Sequence, residues 1–154
     1  MKVALFIHGN INENYKSWGF IDELNCDVFL PNNNEDSFIN QWIDCLNQTE
    51  EVDEVYDIII LSKCDNEFNP TTNYQNFLTY TKDSALYSTR SIYYLSLDEL
   101  WIDERFFIGN GNVVNNLITS LPIDGDKKTL GQKIVNLGYY VDVVRDVEIK
   151  TKEL

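Results

Sequence analysis

One short apolar run constrains the fold of this chain more than any other stretch. Residues 58–61 are four consecutive branched apolar side chains, and polar residues begin directly after them. The run is too short for a helix, and it is typical of a strand that is buried on both faces. Such strands occur in parallel sheets that are covered by helices. We therefore expect residues 58–61 to form a central strand.

A polar cluster follows this strand, at residues 62–67. Ligands of open α/β sheets bind at the carboxyl ends of the strands, so this cluster is a candidate site. Asp65 and Glu67 would offer the oxygen ligands that Mg²⁺ or Mn²⁺ prefers. The alternative is a solvated turn, because acidic residues are common at strand ends. Cys64 is expected to face inward as a small core residue rather than to act as a reactive thiol.

Size and charge limit the classes of function. With 154 residues and 44% apolar residues, the chain is expected to form a single compact domain, residues 1–154, with one core. A net charge of −13 argues against a nucleic-acid partner or an anionic membrane surface, since both need patches of lysine and arginine.

The cysteines and the apolar runs indicate the cellular location of the protein. Three widely spaced cysteines and a single histidine form no zinc pattern, which favours a reduced, cytoplasmic location. The first strand is too short for a signal peptide, and no apolar run has the length of a membrane span.

Strand-like and helix-like stretches alternate along the chain, which predicts an α/β domain of three layers. A mostly parallel sheet with helices on both faces is expected. Strands are predicted at residues 2–7, 27–30, 58–61, 91–95, 105–108 and, at an edge, 139–149, with a turn at 98–101. Helices are predicted at residues 17–24, from 38 through 46, in part of 73–87, and at 112–121 and 129–137.

The loop after the first strand begins with His8 and Gly9. A glycine there lets the backbone approach a ligand closely. The loop matches neither the GxGxxG nor the P-loop pattern, which disfavours a classical dinucleotide or Walker site. For His8 two roles stay open, namely a structural hydrogen bond inside the protein and direct contact with a ligand.

Four stretches carry a resemblance to a known family. In chain order they are KVALFIHGNINENY, CDVFLPNN, YDIIILSKCDNEF and IDERFFIGNGNVVNNL. Together they cover most of the chain and resemble short GT-A-type glycosyltransferases of bacterial and viral surface-glycan clusters. The resemblance implies a GT-A, Rossmann-like fold. It also implies transfer of a sugar from a nucleotide-sugar donor to a glycan or another hydroxyl acceptor.

The resemblance assigns roles on the donor side by position. His8 and Gly9 fall in the loop that would cradle the nucleotide. Lys63 stands where the family usually has arginine and would neutralise the donor phosphate. Asp65 matches the acid that binds the metal or the donor, with Glu67 beside it as a second ligand to Mn²⁺ or Mg²⁺. Asp65 is therefore the residue on which donor binding is expected to depend most.

On the acceptor side the resemblance points to Glu104, with Asp103 beside it. A carboxylate in a partly dry cleft suits the general base that an acceptor hydroxyl needs. Metal and cationic side chains would stabilise the leaving diphosphate. The alternative for residues 103–105 is a surface salt-bridge cluster, which contributes little to stability.

Departures from the family pattern keep a second class of function open. Residues 65–67 read Asp-Asn-Glu instead of a strict Asp-x-Asp, and Lys63 cannot bind phosphate in the bidentate way of arginine. The last predicted helix lacks the expected early acid. The chain is thus either an active sugar transferase or a catalytically lapsed module of the same fold that binds a nucleotide, a glycan or a protein. An unrelated flavodoxin-like or Rossmann-like binder is disfavoured, because no glycine-rich loop follows the first strand.

Overall fold

Six strands form one mixed sheet in this computed structural model of the protein. The structure describes residues 1–34, 36–89, 92–96, 99–144 and 149–151. The strands in these ranges are β1 (Val3–His8), β2 (Asp27–Phe29), β3 (Ile58–Lys63), β4 (Asn66–Phe68), β5 (Ala85–Ser88), β6 (Ile92–Ser96), β7 (Glu99–Ile102), β8 (Phe106–Asn110), β9 (Tyr140–Val143) and β10 (Ile149–Thr151). The order in the sheet is β2-β1-β3-β8-β5-β9. Strand β8 runs antiparallel to β3 and β5, whereas the other neighbouring pairs are parallel.

The apolar run at residues 58–61 lies in β3, between β1 and β8. Its four side chains are at most 4% exposed, because both faces of the sheet are covered there. Asp65 follows two residues after the end of β3. The prediction of a central, buried strand with Asp65 just beyond its carboxyl end is confirmed.

Helices cover both faces of the sheet, so the three-layer α/β prediction is confirmed. One face carries Phe6, Leu61 and Phe107 and packs against the three longer helices. The opposite face carries Leu5 and Ile60 and packs against short helical segments. The longer helices are α2 (Phe38–Glu51), α3 (Gly111–Ser120) and α4 (Lys127–Asn136), and the short segments are α1 (Phe20–Glu23) and the 3-10 helices Glu13–Ser17 and Tyr74–Thr79.

Helix α2 shows how the sequence produces these layers. The Ser37 hydroxyl accepts a hydrogen bond from the Asn40 backbone N–H, which caps the first turn. Ile39, Trp42 and Cys45 then recur at helical spacing and are completely buried against the sheet. None of the helices in the described ranges is long and apolar enough to cross a membrane.

The prediction of a partial helix at residues 73–87 is wrong for the second half of this range. The first half forms the 3-10 helix Tyr74–Thr79, but Ala85–Ser88 forms β5 inside the main sheet, between β8 and β9. All four residues of β5 are buried, so no alternation of polar and apolar residues marks the strand.

The predicted strand at residues 91–95 exists but lies outside the main sheet. Strand β6 pairs with β7 as a separate antiparallel hairpin. The turn expected at 98–101 is therefore largely the strand β7, while residues 97–98 lie outside the described residues. The final strand expected at 139–149 is two strands. Strand β9 lies at the sheet edge as predicted, β10 pairs with β4, and residues 145–148 are not described.

Replacing Gly111 with alanine should cost about 3 kcal/mol of stability or more, which is at the upper end for overpacking. A Cβ atom at this position would lie 2.0 Å from the Tyr56 carbonyl oxygen, so α3 would have to move away from the chain entering β3. Urea unfolding followed by circular dichroism measures the loss.

Gly138→Ala is the matched control. Gly138 has a left-handed φ of +75°. Apart from its chain neighbours, no heavy atom of the described residues lies within 4 Å of the place that a Cβ atom would take, so only the backbone cost of about 1 kcal/mol applies. Equal losses in the two variants would show that close packing at Gly111 is not the reason for its glycine.

Candidate functional site

The ends of three strands bring the predicted site residues to one edge of the sheet. Strands β1 and β3 end at His8 and Lys63, and these two residues pair directly in the sheet register. Strand β8 begins at the same edge because it runs in the opposite direction, so Glu104 and Arg105 arrive there just before it. The backbone N–H of Lys63 donates to the Arg105 carbonyl oxygen at 2.9 Å. Thus the residues after β1 and β3 and those before β8 form one region.

His8 lies beneath this edge and is completely buried. Its Nδ1 accepts a hydrogen bond from the indole N–H of Trp42 at 3.0 Å, so the proton of the neutral ring sits on Nε2. Burial, and then the positive charge of Lys63, lowers the pKa of His8 from 6.5 to about 3. The nearby carbonyl group of Glu104 opposes this shift without making a hydrogen bond of normal geometry to Nε2. This environment suits the structural role of His8 better than contact with a ligand.

Gly9 has its backbone groups paired inside the protein. Its N–H donates to Gln41 Oε1 at 2.7 Å, and its carbonyl accepts from Gln41 Nε2 at 3.0 Å. Gly9 has a φ of +93°, and a Cβ atom there would lie 3.1 Å from Cγ of Lys63. The loop is therefore shaped by Gln41 and Lys63, and the Gly9 N–H is not free to cradle a phosphate.

Charged side chains of both signs meet above His8, in what we call the edge cluster: Lys63, Asp65, Glu104, Arg105 and Lys127. Glu104 is 7% exposed, and its two carboxylate oxygens face Nζ of Lys63 at 4.0 Å and Nζ of Lys127 at 3.1 Å. Arg105 Nη1 donates to Asp65 Oδ1 at 3.1 Å. Lys127 is the first residue of α4, so this helix also contributes to the edge.

The buried side chain of Asn66 makes two hydrogen bonds to Arg105. Its Oδ1 accepts from Arg105 Nη1 at 3.0 Å, while its Nδ2 donates to the Arg105 carbonyl oxygen at 2.9 Å. Asp103 lies on the other side of the guanidinium, with Oδ2 at 3.9 Å from Arg105 Nε. Arg105 is thus held in place from several directions, which makes it a well-ordered charged group.

The sequence patterns did not identify two polar residues of this site, Gln41 and Asn66. Gln41 occupies a core-facing position of α2 between Ile39 and Trp42, and a polar residue there is a signal of a buried hydrogen-bonding role. Asn66 had no comparable signal, because it stands in a polar run where burial is not apparent.

The two predicted metal ligands, Asp65 and Glu67, have different surroundings. Asp65 is engaged by Arg105, whereas Glu67 lies elsewhere and lines a cavity of about 230 Å³ together with Asn14 and Tyr74. In the described ranges, no group of three or more histidine, cysteine or acidic residues could hold a metal. Mg²⁺ is usually held by one or two carboxylates together with substrate phosphates, and at this edge the candidate carboxylate Asp65 lies beside Arg105.

Cys64 is completely buried, as expected. A further cavity of about 480 Å³ lies between the end of α3 and the start of α4, lined by residues that include Leu121, Lys128 and Gln132. None of the predicted site residues lines it.

Comparison with known proteins supports the α/β fold and does not indicate the chemistry of the site. No protein-family model and no curated protein matches the chain. A crystal structure of A197 from STIV is similar, with a TM-score of 0.59 and 10% sequence identity. The alignment covers 98% of this chain and 85% of A197. At this identity the likeness shows a shared α/β architecture, and the chemistry of the site is argued from its own residues.

Protonation of His8 should make stability pH-dependent. The unfolded chain binds a proton with a pKa of 6.5 and the folded protein only at about 3. Between these pH values the unfolded state holds more protons, so stability rises with pH there and is fully restored above 6.5. From about pH 6 to about pH 5, we expect the wild type to lose about 1 kcal/mol relative to His8→Gln.

His8→Gln is a suitable reference, since glutamine is a polar side chain of similar size that does not titrate in this pH range. Urea unfolding of both proteins across this pH range gives the difference. A constant difference would contradict the burial of a neutral imidazole.

Proposed function

We propose that the protein is a nucleotide-sugar-dependent glycosyltransferase that transfers a sugar to a glycan or another hydroxyl acceptor. One observation carries the proposal. Basic and acidic side chains from the end of β3 and the start of β8 meet above His8, at the edge where ligands of α/β sheets bind. The stretches that resemble GT-A-type glycosyltransferases include these strand ends, and the mixed sheet order agrees with an α/β fold of this kind.

Each predicted residue has a chemical role in this proposal. Lys63 and Arg105 stabilise the charge that develops on the leaving diphosphate. Glu104 accepts the proton of the acceptor hydroxyl as the sugar is transferred. Its Oε2 atom lies 3.1 Å from Nζ of Lys127, so an acceptor hydroxyl would share this oxygen with the lysine. Asp103 is the second candidate for the base, and its side chain is more exposed than that of Glu104.

A second function, a non-catalytic binding module of the same fold, is favoured by a specific observation. Glu104 lies between two lysines, and Asp65 lies beside Arg105. A carboxylate that is already paired competes poorly for a substrate proton. Such a site can bind an anionic ligand without turning it over.

A thermal-shift panel separates these proposals from an unrelated function. UDP-, GDP-, CMP- and dTDP-sugars are tested with and without Mn²⁺. A ligand present at one hundred times its dissociation constant stabilises the folded protein by roughly 2.7 kcal/mol, which is easily detected. Binding followed by release of the nucleotide supports the transferase, and binding alone supports a module that binds a nucleotide. No binding contradicts the transferase and leaves a module that binds a glycan or a protein.

If Glu104 is the general base, Glu104→Gln should lower the turnover number by about 10²- to 10⁴-fold. Glutamine keeps the size of the side chain and removes its ability to take up a proton. The rate of nucleotide release with a saturating acceptor measures this effect. Asp103→Asn, its neighbour with the same chemical change, should have less than a tenfold effect by the same reasoning. The reverse ranking would move the base to Asp103.

A further inference from the structure

The edge cluster contains three cations whose positions are set by neighbouring carboxylates. Each lysine ammonium carries three N–H donors. Lys63 and Lys127 both face Glu104, at 4.0 Å and 3.1 Å, and this contact uses one direction of each ammonium group. Their side chains are 31% and 48% exposed, so the remaining donors are accessible to a ligand.

Arg105 is held more rigidly than the lysines. Its Nη1 donates to both Asp65 and Asn66, and its side chain is 19% exposed. Its Nη2 makes no hydrogen bond to the part of the chain that the structure describes. A planar guanidinium that has a fixed orientation and one nitrogen without a partner among the described residues is well suited to bind a phosphate oxygen.

Each carboxylate of the edge cluster lies beside a side-chain cation. Asp65 and Glu104 each neutralise a cation of the edge cluster, and Glu67 lines a different cavity. Asp65, one of the two predicted metal ligands, thus contacts a side-chain cation in this structure. In a chain with a net charge of −13, three cations lie at the one edge where a ligand is expected, although the two carboxylates of the edge cluster offset part of their charge.

From these contacts we infer that Lys63, Arg105 and Lys127 bind the diphosphate of a nucleotide ligand directly, without a bridging divalent ion. The inference rests on the proposed function for the identity of the ligand as a nucleotide-sugar. Asp65 and Glu104 act as positioning residues that orient the cations. This assignment replaces the expectation that Asp65 holds the donor through a metal.

Calorimetric titrations in EDTA and in excess Mn²⁺ test the inference, with UDP-, GDP-, CMP- and dTDP-sugars and inorganic pyrophosphate as the probes. The wild type should bind a probe in EDTA, and Mn²⁺ should not be required. Arg105→Gln should weaken binding about ten- to one-hundredfold, the usual effect of losing a charged hydrogen bond. Asp65→Asn should bind more tightly in EDTA, because asparagine keeps an oxygen that can accept from Arg105 and removes a negative charge beside the anion.

Lys127→Gln and Lys128→Gln form a matched pair that does not depend on the folding of the Arg105 variant. Both lysines lie in the first turn of α4 and both changes remove one positive charge, but of the two only Lys127 contacts Glu104 among the described residues. We expect Lys127→Gln to weaken binding about fivefold or more and Lys128→Gln to have little effect, by the same charged-contact argument. Equal effects would indicate general electrostatic attraction and would overturn the inference.

The remaining outcomes separate this inference from the proposed function. Binding of a nucleotide-sugar that requires Mn²⁺ and is lost in Asp65→Asn would overturn the inference and leave the proposed function standing. Binding of pyrophosphate in EDTA that depends on Lys127, with no nucleotide-sugar bound, would support the anion site and contradict the function. No binding of any probe under either condition would overturn both.

Discussion

The antiparallel pairing of β8 with β3 is the constraint on which the candidate site depends. Because β8 enters the sheet at the edge where β1 and β3 leave it, Arg105 comes within backbone hydrogen-bonding distance of Lys63. A parallel β8 would begin at the opposite edge and would carry residues 103–105 a full strand length away. The position of Glu104 and Arg105 therefore follows from strand direction, and side-chain contacts refine it.

The charged groups at this edge determine which ligands it can bind. The protein as a whole repels anions, yet side chains at this edge present ammonium and guanidinium groups to solvent. At physiological ionic strength, charges more than about 8 Å apart are largely screened, so the local groups matter more than the distant acids. Buried Glu104 is stable in this place because both of its oxygens face lysines, and an unpaired buried carboxylate would be costly.

The sequence was informative where one local pattern determined one structure. Residues 58–61 predicted the central strand because a short branched apolar run has few other stable arrangements. Residues 85–88 did not reveal β5, since four buried residues without alternation do not distinguish a strand from a helix segment. The position of Asp65 was predictable from the end of its strand. Its partner was not, because the contact with Arg105 joins residues that are far apart in the chain and depends on the direction of β8.

The hydrogen bonds between Gln41 and Gly9 have a consequence for the energetics of recognition. A side-chain amide here satisfies both backbone groups of one residue, as a neighbouring strand would do, and so orders the start of the loop after β1. The conformational entropy of this segment is lost when the protein folds. The backbone at the start of this loop is therefore ordered before a ligand binds at the edge. Ligand binding does not carry the entropy cost of ordering that backbone.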